Sequence, residues 1–157
     1  NGQCVTVPNN ASLGMNGATA MSMMIWVNYT GNGILFNKEN TWESAIQGNV
    51  FQYALINNWA WFGNQPVTAS TWKHVAFTWD GATAKTYVDG VTVFSRAQAG
   101  ALTANSTWGF GMGCRGVSPD GTIAGGNQYL AGTIDDAFVY NRALTQQEIT
   151  DYFTATK

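Results

Sequence analysis

The chain has 157 residues, of which 13% are aromatic, 10% are charged and 18 are glycines, and its formal net charge is −2. This length favours a single domain over residues 1–157. The charged fraction is far below the ~25% of a typical protein. The seven Lys and Arg residues form no basic cluster, which argues against nucleic-acid binding. No apolar run approaches the ~20 residues of a membrane-spanning helix, so we expect no membrane insertion.

Short β-branched and aromatic segments separated by turn residues predict strands in the first half of the chain. In chain order, strands are expected over residues 4–7, 21–28 and 33–39, with a hairpin over residues 50–63. The hairpin is predicted to turn at Asn57 and Asn58. The intervening stretch NTWESAIQGN, residues 40–49, is predicted to be a loop.

The segment TWKHVAFTWDGATAKTYVDGVTVFS carries two Asp-Gly pairs, which begin at Asp80 and Asp89. Asp-Gly favours the type I′ turn of a tight hairpin, because both central residues of that turn need positive φ. Strands over residues 72–79, 85–88 and 91–94 would therefore form an antiparallel meander. The first of these strands is apolar on both faces, which indicates a strand between two layers. The local prediction is the core of a β-sandwich.

The last third of the chain predicts two strands, a long glycine-rich loop and one helix. The strands are expected over residues 106–115 and 133–141, and the loop fills the residues between them. Thr145 and Glu148 match a capping box, so a short helix should cover about residues 146–153. Ile149 and Phe153, four residues apart, would dock this helix on the sandwich.

Cys4 and Cys114 are the two cysteines. They could be two buried free thiols, but the first strand of a sandwich often lies beside a late strand, so we predict a disulfide. Closing a loop of about 110 residues would stabilise the fold by roughly 4–5 kcal/mol in the chain-entropy model. A disulfide would also indicate an oxidising, extracellular location.

Two long motifs carry a family resemblance. TWKHVAFTWDGATAKTYVDGVTV and GTIDDAFVYNRALTQQEI resemble the central and closing motifs of laminin-G-like, concanavalin A-like jelly-roll domains. The resemblance implies an all-β fold, a sandwich of two antiparallel sheets of about six strands each with one short C-terminal helix. It leaves the function open, because this fold hosts lectins, carbohydrate-binding modules, adhesion domains and some glycosidases.

Catalysis is not expected. Glycosidases that this domain resembles in fold share an E-x-D-x-x-E or E-x-D-x-E strand motif, and nothing in the sequence matches it. Glu39 and Glu43 are four residues apart, and we interpret them as part of a solvated loop. His74, the one histidine, lies in a strand motif and is interpreted as a structural residue.

Tryptophan is more abundant than a core of this size requires. Four of the seven tryptophans are assigned to the core: Trp26, Trp72, Trp79 and Trp108. The other three do not match motif positions of the family. They leave two functions open, a carbohydrate-binding module with these rings at its surface and a structural or adhesive domain whose core they fill.

The predicted glycan site consists of Trp42, Trp59 and Trp61 with Asn40 and Glu43. Sugars bind through aromatic faces, while amides and carboxylates orient their hydroxyl groups. We therefore expect a non-catalytic module that binds a polysaccharide or glycan, within a larger extracellular or surface protein. The alternative is a domain of a cell-surface or virion protein that binds no sugar.

A structural calcium ion is predicted at Asp135. Both faces of the last strand are mostly apolar, so a buried, unpaired carboxylate there would be costly. The family resemblance implies the same site, because the aspartate of the closing G-x-I-D strand often holds calcium in these domains. The residues before the first strand, Asn1, Gly2 and Gln3, lack the aspartate common there. The alternative is that Asp135 accepts backbone N–H groups without a metal.

Overall fold

A computed structural model describes residues 2–56, 58–103, 106–124 and 128–157, with only the backbone for Asn58 and Trp59. Its elements, in chain order, are β1 (Val5–Val7), α1 (Ala11–Gly14), β2 (Met21–Tyr29), β3 (Gly33–Lys38), β4 (Trp42–Gln47), β5 (Val50–Leu55), β6 (Asn58–Pro66), β7 (Lys73–Trp79), β8 (Thr83–Val88), β9 (Val91–Ala97), β10 (Phe110–Met112), β11 (Gly132–Tyr140) and α2 (Gln146–Thr156). Within these ranges, no helix is long and apolar enough to span a membrane.

The strands form two antiparallel sheets. The six-stranded front sheet has the order β1-β10-β3-β4-β5-β6, and the five-stranded back sheet has the order β11-β2-β7-β8-β9. The expected two-layer, all-β sandwich with one short C-terminal helix is confirmed. The short helix α1, where turn residues alone were expected, begins after the Asn10 cap, whose Oδ1 accepts from the Ser12 N–H at 2.9 Å.

The core lies between the two sheets and is built from alternate residues of each strand. Phe36 and Ile46 of the front sheet and Ile25, Val75 and Phe77 of the back sheet belong to one buried cluster. Side chains of a strand point alternately to its two faces, so every strand that contributes to this cluster also has an outer face. In the middle of both sheets that outer face is covered as well.

Residues 40–49 are not the predicted loop, because β4 occupies the centre of the front sheet between β3 and β5. Glu43, Ser44 and Gln47 give the strand a polar composition that hides its alternation. The turn predicted at Asn57 and Asn58 lies partly outside the described residues, and β6 already begins at Asn58.

The meander of β7, β8 and β9 is confirmed, but its two turns differ. Asp89 and Gly90 both have positive φ, 50° and 78°, as a type I′ turn requires. At the first turn only Gly81 has a positive φ, 86°. There the Asp80 carboxylate accepts the Thr83 N–H at 2.6 Å, so its side chain closes the turn.

Helix α2 covers the outer face of the back sheet. The capping box of Thr145 and Glu148 is present, and Ile149 is fully buried. The ring of Phe153 stacks on Trp26 with centroids 5.7 Å apart. The predicted docking of this helix is therefore confirmed.

Two of the four tryptophans assigned to the core lie elsewhere. Trp79 is fully buried between the sheets, and Trp26 is buried beneath α2. Trp72 precedes β7 and is 44% exposed, and Trp108 is only half-buried in the segment before β10. Both fall outside the strands, where no opposing sheet covers them.

The strand expected over residues 106–115 is reduced to β10, only three residues long. Its length is limited because the chain folds back over it. A Cβ at Gly111 would approach the Cys114 carbonyl oxygen at 2.8 Å and the Val117 side chain at 3.0 Å. Glycine at this position lets the residues after β10 lie on the outer face of the front sheet.

Candidate functional site

A concave cavity of about 200 Å³, here called the groove, opens on the outer face of the front sheet. It is smaller than the ~300–1,000 Å³ typical of sites that enclose a drug-sized ligand. Its walls come from β3, β4, β6 and the glycine-rich loop that precedes β11. The groove is lined by Asn32, Gly33, Ile34, Ala45, Ile46, Gln47, Trp61, Gln128 and Tyr129.

The glycine-rich loop forms one wall because it lies directly on β3. A Cβ at Gly33 would stand only 2.3 Å from the Leu130 Cα, so glycine is needed for this close approach. The Ile34 N–H donates to the Gln128 carbonyl at 3.2 Å. These contacts place Tyr129 at the edge of the groove, and its ring also lies against Gly2, where an added Cβ would meet it at 2.2 Å.

Amide groups and one small residue form the floor. Ala45 leaves space at the centre, and Gln52 Nε2 donates to Gln47 Oε1 at 3.3 Å. The Asn32 Oδ1 accepts from the Gly48 N–H at 2.8 Å, which fixes that amide at one end.

Trp61 provides the opposite wall. It lies on β6, two strands from β4, and this corresponds to about 10 Å at ordinary strand spacing. The groove therefore has Trp61 on one side, Tyr129 on the other and amide residues between them.

Beside the groove, a partly buried polar cluster of Glu39, Glu43, Asn37 and Arg115 attaches the residues after β10 to the same face. Arg115 makes two hydrogen bonds with the Glu39 carboxylate at 2.9 and 2.8 Å, and its Nη2 lies 3.3 Å from Glu43 Oε1. Asn37 Nδ2 donates to both carboxylates at 3.2 Å, and its Oδ1 accepts from the Gly116 N–H at 3.2 Å. This cluster replaces the solvated loop that was expected for Glu39 and Glu43.

The two carboxyl groups of the polar cluster have opposite pKa shifts. Burial raises the pKa of Glu43 to about 7, and Arg115 offsets this effect only in part. Hydrogen bonding to Arg115 lowers the pKa of Glu39. One arginine thus neutralises Glu39, while Glu43 retains a proton up to near-neutral pH.

Trp42 is not part of a surface site. Its ring is fully buried and packs against Phe36 and Phe110, with centroids 6.5 and 5.7 Å away. Its Nε1 donates to the Leu13 carbonyl at 3.0 Å. Both the predicted loop position and the predicted sugar contact are therefore wrong for this residue, which belongs to the core.

The other four predicted site residues are not gathered at one place. Trp61 lines the groove, whereas Asn40 lies exposed in the turn between β3 and β4 with φ of 60°. Glu43 points to the outer face but is only 1% exposed, held within the polar cluster. The side chain of Trp59 lies outside the described part of the chain.

Sequence reasoning missed Tyr129, Gln128, Asn32 and Gln47. The available signal was an aromatic residue inside a loop rich in glycine and amides, GGNQYLAG. That pattern does not reveal which strand the loop will cover. The close approach at Gly33, which decides it, depends on the tertiary fold.

The predicted disulfide between Cys4 and Cys114 is present, with Cα atoms 5.5 Å apart. Cys114 lies two residues after β10, directly before Arg115 of the polar cluster. The bond therefore ties the N-terminal segment to the start of the glycine-rich loop.

Asp135 does not occupy the buried environment from which its calcium was argued. It lies exposed on β11, an edge strand, and its Oδ1 accepts the Asp136 N–H at 2.8 Å. A bulge after Asp135 gives Asp136 a φ of 46°. No three His, Cys, Asp or Glu residues gather in metal-binding proximity within the described ranges. The burial argument for calcium therefore fails, and calcium binding at Asp135 stays a prediction.

Comparison with known proteins identifies the family. A model of the concanavalin A-like lectin/glucanases superfamily, specifically its laminin G group, matches residues 1–150. The chain belongs to this superfamily. The laminin G-like resemblance of the two sequence motifs is thereby confirmed over nearly the whole chain.

The individual relatives are distant in sequence. The human adhesion G-protein coupled receptor D1 is 28% identical over 131 residues, which cover 80% of this chain but 14% of the receptor. A candidate carbohydrate-binding protein from Bacteroides ovatus superposes with a TM-score of 0.71 at 16% identity, covering 94% of this chain and 43% of that one.

A third relative is domain 4 of AbnA, an extracellular arabinanase from Geobacillus stearothermophilus solved in complex with arabinotriose. It superposes with a TM-score of 0.65 at 21% identity, covering 94% of this chain and 71% of that one. At such identities the solved structures show a shared fold. The chain spans less than half of the first two relatives, so it corresponds to one part of those proteins.

Proposed function

We propose that this domain is a non-catalytic carbohydrate-binding module of a larger extracellular protein, and that the groove is its glycan site. The observation that carries the proposal is the arrangement of Trp61 and Tyr129 on opposite walls, with the amides of Asn32, Gln47 and Gln128 around them. This combination offers stacking surfaces and hydrogen-bonding groups at one concave place.

The chemistry of the groove suits a sugar ring. Pyranose C–H groups stack on an aromatic face, and hydroxyl groups need partners that both donate and accept hydrogen bonds. Amide side chains offer both functions. Concave sites with a few convergent polar groups are the usual form of ligand sites.

The comparisons support a binding role without defining a ligand. The relatives include a candidate carbohydrate-binding protein and an arabinanase domain in complex with arabinotriose. The receptor relative and the disulfide are consistent with a module exposed outside the cell.

A structural or adhesive domain is the second candidate. Trp72 favours it, because this large ring is 44% exposed at the end of the back sheet, away from the groove. If the surface around Trp72 binds a partner protein, the groove has no part in that function. The two candidates therefore assign function to different tryptophans.

A glycan array followed by calorimetry on the hits tests the proposal. Trp61→Ala should weaken binding about 30-fold or more, since losing one stacking ring at a binding hot spot costs about 2 kcal/mol or more. Trp72→Ala is the matched control and should bind as wild type does. Thermal unfolding establishes that both variants fold. Absence of any array hit, or equal binding by Trp61→Ala, would reject the groove as a glycan site.

A further inference from the structure

The described residues that line the groove carry no charged side chain. Its polar side chains are the amides of Asn32, Gln47 and Gln128 and the phenol of Tyr129, and none of them is ionised at neutral pH. An amide pairs with a hydroxyl in either direction, because it donates through nitrogen and accepts through oxygen. It offers no charge to balance an ionised ligand.

The ionisable groups nearest to the groove along β4 are enclosed in the polar cluster. Glu43 belongs to the polar cluster, where Arg115 lies 3.3 Å from its carboxylate. It is two residues from Ala45, about 7 Å along the strand, but it is only 1% exposed and is held inside the cluster. Arg115 is itself held by two hydrogen bonds to Glu39. The cluster therefore presents no free cation to a ligand in the groove.

An ionised sugar would lose hydration on entering this site without gaining a counter-charge. Burying a charge without a partner is far more costly than burying a hydrogen-bonded hydroxyl. The penalty applies to the carboxylate of a uronic or sialic acid and to the ammonium of a deacetylated amino sugar. Stacking on Trp61 offsets none of it, because the neutral sugar of the same shape stacks as well.

Resting on the proposed function, we infer that the groove selects neutral glycans and discriminates against anionic and cationic ones. Charged glycans are disfavoured because the floor of Ala45 and Gln47 carries no charge that could pair with their ionic group.

Matched oligosaccharides test this inference by calorimetry. A neutral hexose oligomer is compared with its uronic acid counterpart, which differs only in the carboxylate at C6, and with its amino-sugar counterpart. The neutral oligomer should bind at least ten-fold more tightly than either. Its affinity should also stay the same between about 0.05 and 0.5 M NaCl, because no ion pair is formed.

Moving a charge into the groove gives the reciprocal test. Gln47→Lys should raise the affinity ratio of uronate to neutral oligomer at least ten-fold. Gln147→Lys, an equal charge change on exposed α2, is the control and should leave that ratio unchanged.

Equal or tighter binding of the uronate by wild type would overturn the inference. If that binding still required Trp61, the proposed glycan site would survive. If none of the oligomers and no array glycan bound, the proposed function would fail and this inference with it.

Discussion

Glu43→Gln is expected to make the stability of the domain strongly dependent on pH. Burial raises the pKa of Glu43 from its ordinary 4.5 to about 7 in the folded state. Between these values the folded state binds one more proton than the unfolded state, so the stability from this group falls as pH rises. At 1.36 kcal/mol per pH unit, the effect totals about 3 kcal/mol.

The titration of His74 changes the folding stability in the opposite direction over nearly the same pH range. Burial beneath Trp26 and α2 lowers its pKa from 6.5 to about 4, and Asp89 offsets this only in part. The folded state therefore binds fewer protons than the unfolded one, and stability is lost as pH falls from 6.5 towards 4. The two slopes have opposite signs and similar size between pH 4.5 and 6.5, so they largely offset each other in wild type.

In the Glu43→Gln variant, the pH dependence of stability that is due to His74 should become visible. Denaturant unfolding of Glu43→Gln, followed by tryptophan fluorescence at about pH 4.5, 5.5 and 6.5, should show a gain of about 1 kcal/mol per pH unit. Wild type should be nearly flat in this window. Glu39, whose pKa is lowered, loses its stabilising effect mainly below pH 4.5 and so adds little slope there.

The reverse slope provides the control. His74→Phe keeps an aromatic ring against Trp26 and removes the titration, so its stability should fall with rising pH by the same amount. Parallel profiles for wild type and Glu43→Gln would refute the raised pKa of Glu43. A flat profile for His74→Phe would refute the balance between the two groups.

Three further outcomes are expected. Unreduced protein should weigh about 2 Da less than reduced protein, and labelling of Cys4 and Cys114 as free thiols would contradict the disulfide. Gly33→Ala should cost about 1–3 kcal/mol of stability and weaken glycan binding, because the added Cβ displaces the loop. Gly14→Ala is the control and should change neither property, because its added Cβ meets nothing closer than 4.0 Å. Calcium held at Asp135 would raise the unfolding midpoint above that in EDTA, and an equal midpoint without bound metal would remove the ion.

The fold was predictable where one chain segment carries its own signal. Asp89 and Gly90 signal a turn because both residues adopt the positive φ that a type I′ turn requires. Thr145 and Glu148 signal the start of a helix because their side chains form a capping box. The central strand β4 carried no such signal. A glutamate can occupy the outward position 43 because Arg115, more than seventy residues further along the chain, lies beside its carboxyl group. A pattern of alternating hydrophobicity cannot show that partner.

The site was predictable only in part, for the same reason. Trp61 was identified as an aromatic residue outside the family motifs, but so was Trp42, which the structure places in the core. Sequence cannot tell a ring that faces the opposite sheet from one that faces outward when its strand is unrecognised. Tyr129 depends on how the loop lies over Gly33, a contact between distant residues.

The groove and the sandwich are stabilised by separate interactions. The core between the sheets holds the strands, whereas the loop wall is held by the Cys4–Cys114 bond, by Arg115 in the polar cluster and by backbone hydrogen bonds to β3. Of the loop residues, Leu130 also packs against the main core, whereas Tyr129 is not part of that cluster. Loop residues such as Tyr129 can therefore vary in sequence at little cost to the sandwich. This arrangement allows one fold to carry different loops over the same front sheet without a change in the motifs that identify the family.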